Sequence, residues 1–457
     1  MRSPLGALGF SVGLVWGLLA GTPTARAHGR FPETHGLTFH PGDSETLVAG
    51  STFGPVISRD GGQTWRWACE TALLLNALED PTYVLMSDGS LVASGFAGLQ
   101  RGTPSLCSFA EPDEDVGFAI TDVDRSPEDP AVAFAITSAG GDVVNGLFRS
   151  ADDGATWEAT SDPIEAILFE SILVGTGGRI YLSGVYPATS ERPEPEAFIH
   201  RSSDGGAIWE RFAFDAAQGW TDDDRTLLLL AVDPADPDHL FAKTLPDYSA
   251  DAPERLVQSR DGGETWSDAG EHREIGGLLF AGDGALYLGT EWVAMPSDPT
   301  MEAVPYPHGL YRSDDGGDTF TVVRDDLDVG CLGWHDGALW LCADQYRDGF
   351  LVGESADGGV TVQERLILDE MEGPVECDPG DSTPQLCSVR DQDVLCDFQV
   401  EPETGGMMCD AGTLAAPDMG GSGGSSGGGC GCATTGPAEG ASFLLLILAL
   451  TRRRRSP

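Results

Sequence analysis

One pattern of eight residues, Ser-x-Asp-x-Gly-x-Thr-Trp, recurs six times along this chain of 457 residues. The copies vary only near their ends, with Ile208 in place of Thr, and with Phe320 and Val362 in place of Trp. They begin at Ser58, Ser150, Ser202, Ser259, Ser313 and Ser355. A pattern repeated at such intervals indicates one small structural unit used many times, since each unit buries its apolar face against the next.

The residue types of the octet are those of a tight turn between two strands. Asp accepts hydrogen bonds from backbone N–H groups of its own turn, and Gly adopts the positive φ that tight hairpins require. Thr suits the outgoing strand, and Trp supplies a large apolar surface between neighbouring sheets. We therefore interpret the octet aspartates as structural turn residues, in preference to catalytic acids or calcium ligands: Asp60, Asp152, Asp204, Asp261, Asp315 and Asp357.

The spacing of the octets counts the units. Successive octet aspartates are 92, 52, 57, 54 and 42 residues apart. The first interval is about twice the size of one unit, so one unit has lost its octet, and the segment from Leu99 to Phe109 lies near its midpoint. Seven units between His28 and about Glu370 have the size of four-stranded blades of roughly 40–50 residues.

The octets resemble Asp-boxes (BNR repeats), which are the repeats of bacterial neuraminidase-type β-propellers. The resemblance implies an all-β fold: a seven-bladed, sialidase-like β-propeller of four-stranded antiparallel blades over residues 28–370. Apolar segments with Asp/Pro/Gly turns precede several octets, as expected for the inner hairpin of a blade. Sortilin-type propellers and photosystem II assembly factors carry similar repeats, and they bind proteins or peptides.

Residues 1–27 have the features of a secretory signal peptide. Arg2 is followed by an apolar run, and Ala25-Arg26-Ala27 forms a small-residue cleavage site. An exported chain enters an oxidising compartment, so its cysteines are candidates for disulfide bonds.

The other end has a Gly/Ser linker (413–429), then Cys430 and Cys432, a short apolar run (441–450) and four arginines (452–455). Ten helical residues cover about 15 Å, half of a hydrocarbon core of about 30 Å. In this order the parts of residues 430–457 resemble the MYXO-CTERM sorting signal of myxobacterial surface proteins. The resemblance implies processing or anchoring at Cys430 or Cys432 by sorting machinery, and a place at the cell surface on the outer membrane.

The chain is strongly acidic, with a net charge of −47. Phosphate backbones and anionic lipids bind basic surfaces, so this charge argues against a nucleic-acid partner and against adsorption to lipid. We expect a monomer that contacts the membrane only through its C-terminal anchor. We expect no cofactor and no metal site.

Eight cysteines precede the sorting signal. Cys331 and Cys342 lie symmetrically about Asp336-Gly337, so a two-residue turn there predicts that they face each other within disulfide range. Cys69 and Cys107 are candidates to join blades 1 and 2. The remaining four predict a small disulfide-stapled segment over residues 371–412, of unknown connectivity: Cys377, Cys387, Cys396 and Cys409. A zinc site is the alternative for these four, although they contain no C-x-x-C pair and no nearby His.

Binding residues are expected on the face opposite the octets, where long loops join the second and third strands and where blades connect. Aromatic side chains there can stack on sugars or anchor a peptide, and ordinary loop packing is the alternative. The candidates are Tyr186, Trp220, Tyr248, Trp292, Tyr306, His308 and Tyr346.

These features predict a non-catalytic binding module for protein or carbohydrate at the cell surface. The alternative is a glycosidase of exo-α-sialidase type, for which the family requires an Arg triad, a Tyr/Glu pair and an Asp acid/base. Gly29-Arg30-Phe31-Pro32 departs at two positions from the motif of the first triad arginine, and the other catalytic residues are not identifiable. A different two-carboxylate glycosidase stays open, because so many acids give no means of choosing a pair.

Overall fold

Seven four-stranded antiparallel sheets contain nearly all the regular structure of the described residues. The computed structural model of the chain describes residues 32–75, 80–112, 116–140, 145–160, 167–190, 195–221, 224–246, 253–272, 274–291 and 307–387. All of these fall within one compact unit, Met1–Cys409. The seven-bladed propeller expected from the octets is confirmed.

The first four blades use consecutive strands of the chain. Their bounds are, for blade 1, β1 (Thr34–Phe39), β2 (Leu47–Ser51), β3 (Val56–Ser58) and β4 (Arg66–Trp67); for blade 2, β5 (Tyr83–Leu85), β6 (Leu91–Ala93), β7 (Gln100–Gly102) and β8 (Phe109–Ala110); for blade 3, β9 (Ile120–Arg125), β10 (Ala133–Thr137), β11 (Leu147–Ser150) and β12 (Glu158–Ala159); for blade 4, β13 (Leu168–Val174), β14 (Ile180–Tyr186), β15 (Glu196–Ser202) and β16 (Trp209–Phe214). Blade 2 is the unit without an octet, and its outer hairpin lies where the sequence predicts it.

The last three blades follow the same order. They are, for blade 5, β17 (Asp224–Val232), β18 (Leu240–Pro246), β19 (Glu254–Ser259) and β20 (Ser267–His272); for blade 6, β21 (Ile275–Phe280), β22 (Leu286–Thr290), β23 (Gly309–Ser313) and β24 (Thr321–Arg324); for blade 7, β25 (Cys331–His335), β26 (Ala338–Cys342), β27 (Val352–Ser355) and β28 (Gln363–Leu366). Two 3₁₀ helices, Glu70–Leu73 and Leu368–Glu370, and one short α-helix, α1 (Ser382–Leu386), complete the described elements.

The ring closes where β1 of blade 1 packs against β25 of blade 7. Each blade takes all four strands from one continuous segment, so no strand is exchanged across this closure. Noncovalent contacts between the first and last blades must therefore hold the ring shut, unless another element spans them.

Side chains of the innermost strands tie neighbouring blades together. The Asp122 and Asp124 carboxylates of β9 accept hydrogen bonds from the backbone N–H groups of Ile172 (3.0 Å) and Val174 (2.7 Å) in β13. Ser171 of β13 in turn accepts a hydrogen bond from the N–H group of Leu229 in β17, at 2.8 Å. These bonds satisfy backbone donors that no neighbouring strand reaches.

The octets form the turns between third and fourth strands. In the first octet, Oδ1 of Asp60 accepts hydrogen bonds from the Thr64 N–H group (2.9 Å) and the Ser58 hydroxyl (2.9 Å), and Oδ2 accepts one from the Thr64 hydroxyl (2.8 Å). Equivalent bonds to Oδ1 recur in all six octets. The carboxylates are thus engaged within their own turns.

The octet tryptophans pack between blades. Trp65 and Trp157 are buried, and each indole N–H donates to the carbonyl oxygen of its octet glycine. Gly62 is required at its position, because a Cβ there would lie 2.7 Å from the ring of Trp340 in blade 7. The octet therefore sets the turn and also supplies the apolar wedge between sheets.

Three disulfides are present among the described residues. Cys331 and Cys342 face each other as register partners across the Asp336-Gly337 turn and are bonded. The candidate pairing of Cys69 with Cys107 does not form, because Cys69 is bonded to Cys387 and Cys107 to Cys377. Cys396 and Cys409 lie outside the described residues.

Residues 371–387, here called the strap, run from blade 7 along the outer strands of blades 1 and 2. Trp67 N–H donates to the Gly373 carbonyl oxygen (3.1 Å), and Val375 N–H donates to the Trp67 carbonyl oxygen (2.9 Å). Further along, Thr383 N–H donates to the Cys107 carbonyl oxygen at 3.0 Å. The strap is therefore attached to the propeller and does not form a module stapled only to itself, as the sequence had suggested.

Among the described residues, no helix is both long and apolar enough to cross a membrane. The signal peptide, the linker and the sorting signal with Cys430 and Cys432 lie outside these residues.

Candidate functional site

The two faces of the propeller differ in their loops. The octet face carries the octets and the turns between first and second strands. The loop face carries the second-to-third-strand loops and the connections between blades. Of the aromatic candidates on the loop face, Tyr186, Trp220, His308 and Tyr346 are described, and Tyr248, Trp292 and Tyr306 lie outside the described residues.

Tyr186 and Trp220 pack within the fold. The Tyr186 ring lies 4.9 Å from the Phe198 ring, and the Arg211 guanidinium lies over it at 4.9 Å. Trp220 meets Phe214 edge to face at 6.2 Å. Both side chains are half-buried, so much of their aromatic surface is already occupied by their neighbours.

Tyr346 is more accessible, with 46% of its surface exposed. Its backbone N–H donates to Asp344 Oδ1 at 2.7 Å, which fixes the loop after β26. Desolvation, with the negative charges of Asp344 and Asp369, raises the pKa of the phenol, so Tyr346 stays protonated at neutral pH. His308 is half-buried at the start of β23. The four described candidates thus come from blade 4, the connection to blade 5, blade 6 and blade 7.

An acidic group that sequence reasoning missed lies on the loop face between blades 6, 7 and 1: Glu33, Glu274, Glu291 and Asp328. Desolvation by the surrounding protein raises the pKa of Glu291 to about 7, and the charges of Asp328, Glu33 and Glu274 act in the same direction. The Glu291 side chain still reaches solvent. A carboxylic acid with this pKa retains a proton near neutrality and can donate it.

The sequence contains a weak signal for this group, since its three glutamates each directly flank a strand at its loop-face end. Glu33 precedes β1, Glu274 precedes β21, and Glu291 follows β22. A backbone hydrogen bond fixes two of them relative to each other, because Glu291 N–H donates to the Glu274 carbonyl oxygen at 2.9 Å. Without the blade boundaries, these acids were indistinguishable from the others in the chain.

A buried ion pair lies beside the acidic group. Lys243 Nζ is 3.2 Å from Glu254 Oε2, and Nζ also donates to the Ile275 carbonyl oxygen at 2.6 Å. Glu254 Oε2 accepts the Ile275 N–H group at 2.6 Å. Burial raises the pKa of Glu254, and Lys243 opposes this. Both side chains of the pair bond to the backbone of Ile275 and so join blade 5 to blade 6. Lys243 therefore has a positioning role.

Several described arginines of the loop face are paired with nearby carboxylates. The pairs are Arg211–Glu196, Arg255–Asp224, Arg324–Asp326 and Arg347–Asp328. A sialidase-type site would use a group of arginines to hold the carboxylate of its substrate. These four are distributed over blades 4 to 7 and neutralise the protein's own acids, while Arg30 lies outside the described residues.

A second feature missed from sequence is an exposed aromatic pair between blades 2 and 3. Phe96 is 64% exposed and Phe118 is 49% exposed, and their rings meet edge to face at 6.1 Å. Ala119 N–H donates to the Phe96 carbonyl oxygen at 2.8 Å, so the loops that carry the rings are bonded together. Large apolar side chains exposed as a pair on a fixed backbone are typical of binding surfaces.

A cleft of about 210 Å³ adjoins the aromatic pair. Its lining combines the Phe96 ring with hydroxyl and carboxylate groups of Asp80, Ser94, Thr121 and Ser138. The Ser94 hydroxyl oxygen accepts the Thr82 N–H group at 2.9 Å, which fixes its position. An apolar ring beside convergent polar groups is the arrangement of a small-molecule site.

One group of potential metal ligands lies among the described residues. Potential ligand atoms of Cys107, Cys377 and Asp381 lie within 4.8 Å of one another. Cys107 and Cys377 are bonded as a disulfide, so neither supplies the thiolate that a metal requires.

No protein-family model matches this sequence, and no curated protein matches it. Solved structures do resemble it. A crystal structure of an ancestral GH74 enzyme has a TM-score of 0.51 and 13% identity, covering 74% of this chain and 46% of that one. A Hadza microbial sialidase has a TM-score of 0.36 and 16% identity, covering 74% and 66%. YCF48 from Cyanidioschyzon merolae has a TM-score of 0.31 and 15% identity, covering 55% and 70%.

The chain spans about half the length of the ancestral GH74 enzyme. Sequence identity of this order says nothing about a shared activity or substrate. The likeness concerns the fold alone: this chain shares a β-propeller fold with that GH74 enzyme.

Proposed function

We propose that this protein is a non-catalytic, carbohydrate-binding β-propeller held at the cell surface, with Phe96 and Phe118 as its binding platform. The observation that carries the proposal is the exposed aromatic pair beside the polar cleft. The C–H faces of a sugar ring are apolar and its edge is rich in hydroxyls, so a ring on Phe96 places hydroxyls toward Ser94, Thr121 and Ser138.

The charge of the protein selects among sugars. Asp80 lies in the cleft, and the chain as a whole carries −47. A sugar bearing carboxylate or sulfate would be repelled there, whereas a neutral sugar would not. The proposed ligand of the loop face is therefore a neutral glycan.

The surface location is part of the same proposal. We regard the octets as Asp-boxes, residues 1–27 as a secretory signal and residues 430–457 as a MYXO-CTERM type sorting signal. The Gly/Ser linker would extend roughly 5–6 Å times the square root of its length, which holds the propeller away from the membrane. Acylation at Cys430 or Cys432 would supply the attachment that ten apolar residues do not.

A glycan array with the purified full-length protein tests the binding proposal. Wild type should bind neutral glycans, and the double variant Phe96→Ala/Phe118→Ala should bind about tenfold more weakly, since a loss of about 1.4 kcal/mol of buried apolar surface weakens binding tenfold. Ile208→Ala is the matched control, because Ile208 is 70% exposed on the octet face. A double variant that binds as well as wild type, or a wild type that binds only proteins, would reject the proposal.

The second candidate function is hydrolysis of a glycoside, and Glu291 is the observation that favours it. Glu291 retains a proton near neutrality and could act as general acid, and Asp328, whose charge helps to raise the pKa of Glu291, would be the second carboxyl group that glycosidases require. The same purified protein, assayed on a glycan panel that includes sialosides, distinguishes the two functions. Turnover that is lost in Glu291→Gln would establish hydrolysis and end the non-catalytic proposal.

A further inference from the structure

A second cleft opens on the octet face, on the side of the propeller that the proposed function does not use. It has a volume of about 570 Å³, within the range of roughly 300–1,000 Å³ for ligand sites. The turn 40–44 of blade 1 and residues 334–336 at the end of β25 in blade 7 form its walls, and Arg125 of blade 3 reaches it.

Arg125 is held in this cleft by three consecutive blades. From the end of β9, its Nη1 donates to the carbonyl oxygens of Leu85 in blade 2 and Phe39 in blade 1. Most described arginines have a carboxylate partner within 4.0 Å, but Arg125 forms no ion pair with any described residue. Its neighbour Asp124 accepts N–H groups from Val174 (2.7 Å) and from Arg125 itself (2.8 Å).

Two histidines line the cleft, and His40 leaves a hydrogen-bond donor available to a ligand. His40 Nδ1 accepts the Gly42 N–H group at 3.2 Å, which leaves the ring proton on Nε2. His335 Nε2 is 3.1 Å from the Ser44 carbonyl oxygen, which can only accept, so this nitrogen also carries a proton. The His335 ring stacks on Phe39 with centroids 4.6 Å apart, and this contact fixes its position.

Two carboxylates lie at the cleft, and neither pairs with Arg125. Asp43 accepts hydrogen bonds from the Thr46 hydroxyl (2.6 Å) and the Glu45 N–H group (2.7 Å), and these bonds lower its pKa. Asp336 is exposed in the turn that follows β25, with φ of 47°. The cleft therefore combines a guanidinium that has no ion-pair partner among the described residues with one imidazole donor, in a chain of net charge −47.

We propose that this cleft binds a sugar carboxylate, that of a uronic acid. The guanidinium of Arg125 would pair with the carboxylate, for which its planar geometry is suited, and His40 would donate through Nε2. Trp334, half-buried in the wall, would pack against the sugar ring. The two faces would then bind sugars of different charge, neutral on the loop face and acidic on the octet face.

Calorimetric titration of the full-length protein with glucuronate and with glucose tests this inference, because the two sugars differ in the carboxylate. Glucuronate should bind at least about tenfold more tightly than glucose. Arg125→Gln should weaken glucuronate binding by about tenfold or more, as expected for a hydrogen bond to a charged group. Asp336→Asn should strengthen it by up to about fivefold, since it removes a repelling surface charge.

The two variants complement each other. Arg125→Gln removes hydrogen bonds from blade 3 to blades 1 and 2, so its circular dichroism and melting temperature must be compared with wild type. Asp336→Asn keeps a residue that tolerates the left-handed backbone, and a gain in affinity requires a folded protein. Equal binding of the two sugars, no binding of either, or no change in Asp336→Asn would overturn the inference. Phe96→Ala/Phe118→Ala should leave glucuronate binding intact, which separates this site from the loop face.

Discussion

Asp153 occupies a backbone position that the other five octets give to glycine. Its φ is 58°, in the left-handed region, where Gly61, Gly205, Gly262, Gly316 and Gly358 stand in the other copies. Asp153 Oδ1 accepts hydrogen bonds from the Ser87 hydroxyl (2.6 Å) and the Asp88 N–H group (3.2 Å). Both donors belong to the inner turn of blade 2, the blade without an octet. Blade 3 thus supplies hydrogen bonds to the inner turn of blade 2, which has no octet of its own.

We expect Asp153→Gly to destabilise the protein by about 1–3 kcal/mol, although glycine relieves the backbone strain. The reason is that two hydrogen bonds to a charged acceptor are lost. Asp153→Asn, which keeps an acceptor and tolerates positive φ, should lose less. Chemical denaturation of the three proteins measures the difference, and a glycine variant more stable than wild type would show that the cross-blade bonds contribute little.

At the scale of elements, the strap solves the closure problem of the ring. Every blade is a continuous segment, so no exchanged strand joins blade 7 to blade 1. The strap leaves blade 7 and is bonded covalently to Cys69 beyond β4 and to Cys107 in the outer turn of blade 2. Arg66 of β4 adds ion pairs of 3.0 and 2.9 Å to Glu372 and Glu376. The last blade is thereby linked to the first two along their outer edges.

Removing both strap disulfides, in the variant Cys69→Ser/Cys107→Ser/Cys377→Ser/Cys387→Ser, should lower stability by several kcal/mol. The matched control is Cys331→Ser/Cys342→Ser, because that disulfide spans 11 residues within one blade, against 318 and 270 for the strap. Hydrogen exchange should rise at β1 and β25 in the strap variant and stay local to blade 7 in the control. Equal protection of β1 in all three proteins would show that the ring closes without the strap.

At this scale, the sequence predicts a feature only where the residues that determine it lie close together in the chain. The seven blades and the facing of Cys331 and Cys342 follow from octet spacing and turn symmetry, which are local patterns. The partners of Cys69 and Cys107 are far away in sequence, and no local rule selects them among eight cysteines. The exposure of Phe96 and Phe118 was equally hidden, since apolar residues in a sequence are ordinarily expected inside.

At the scale of the whole molecule, two kinds of carboxyl group have opposite effects on how stability depends on pH. Local hydrogen bonds lower the pKa of the octet aspartates, that of Asp315 to about 2. Burial between the innermost strands of blades 3 and 4 raises the pKa of Asp122 to about 6 and that of Asp124 to about 7. Burial also raises the pKa of Glu170 and Glu254. The first kind favours folding when ionised, and the second favours folding when protonated.

The directions of these pKa shifts predict that stability is greatest on the acid side of neutrality. A group whose pKa is raised by folding contributes stability below its ordinary pKa, and that contribution is lost as pH rises through about 6 and 7 for Asp122 and Asp124. A group whose pKa is lowered contributes above its ordinary value, and the contribution is lost as pH falls toward about 2 for Asp315. Three histidines act against the carboxyl groups of raised pKa, because desolvation lowers the pKa of each imidazole and its protonation disfavours the fold: the buried His200 and His239 and the half-buried His272.

The raised carboxyl groups outnumber the histidines and include the larger shifts, and acidification also reduces the repulsion within a chain of net charge −47. We therefore expect the melting temperature, measured by calorimetry at constant ionic strength, to be higher near pH 5 than at pH 8 and to fall again below about pH 4. In Asp122→Asn/Asp124→Asn, amide oxygens can still accept from Ile172 and Val174, but nothing titrates there. The decline from pH 5 to pH 8 should be shallower in this variant, and an unchanged slope would mean that Asp122 and Asp124 are not its source.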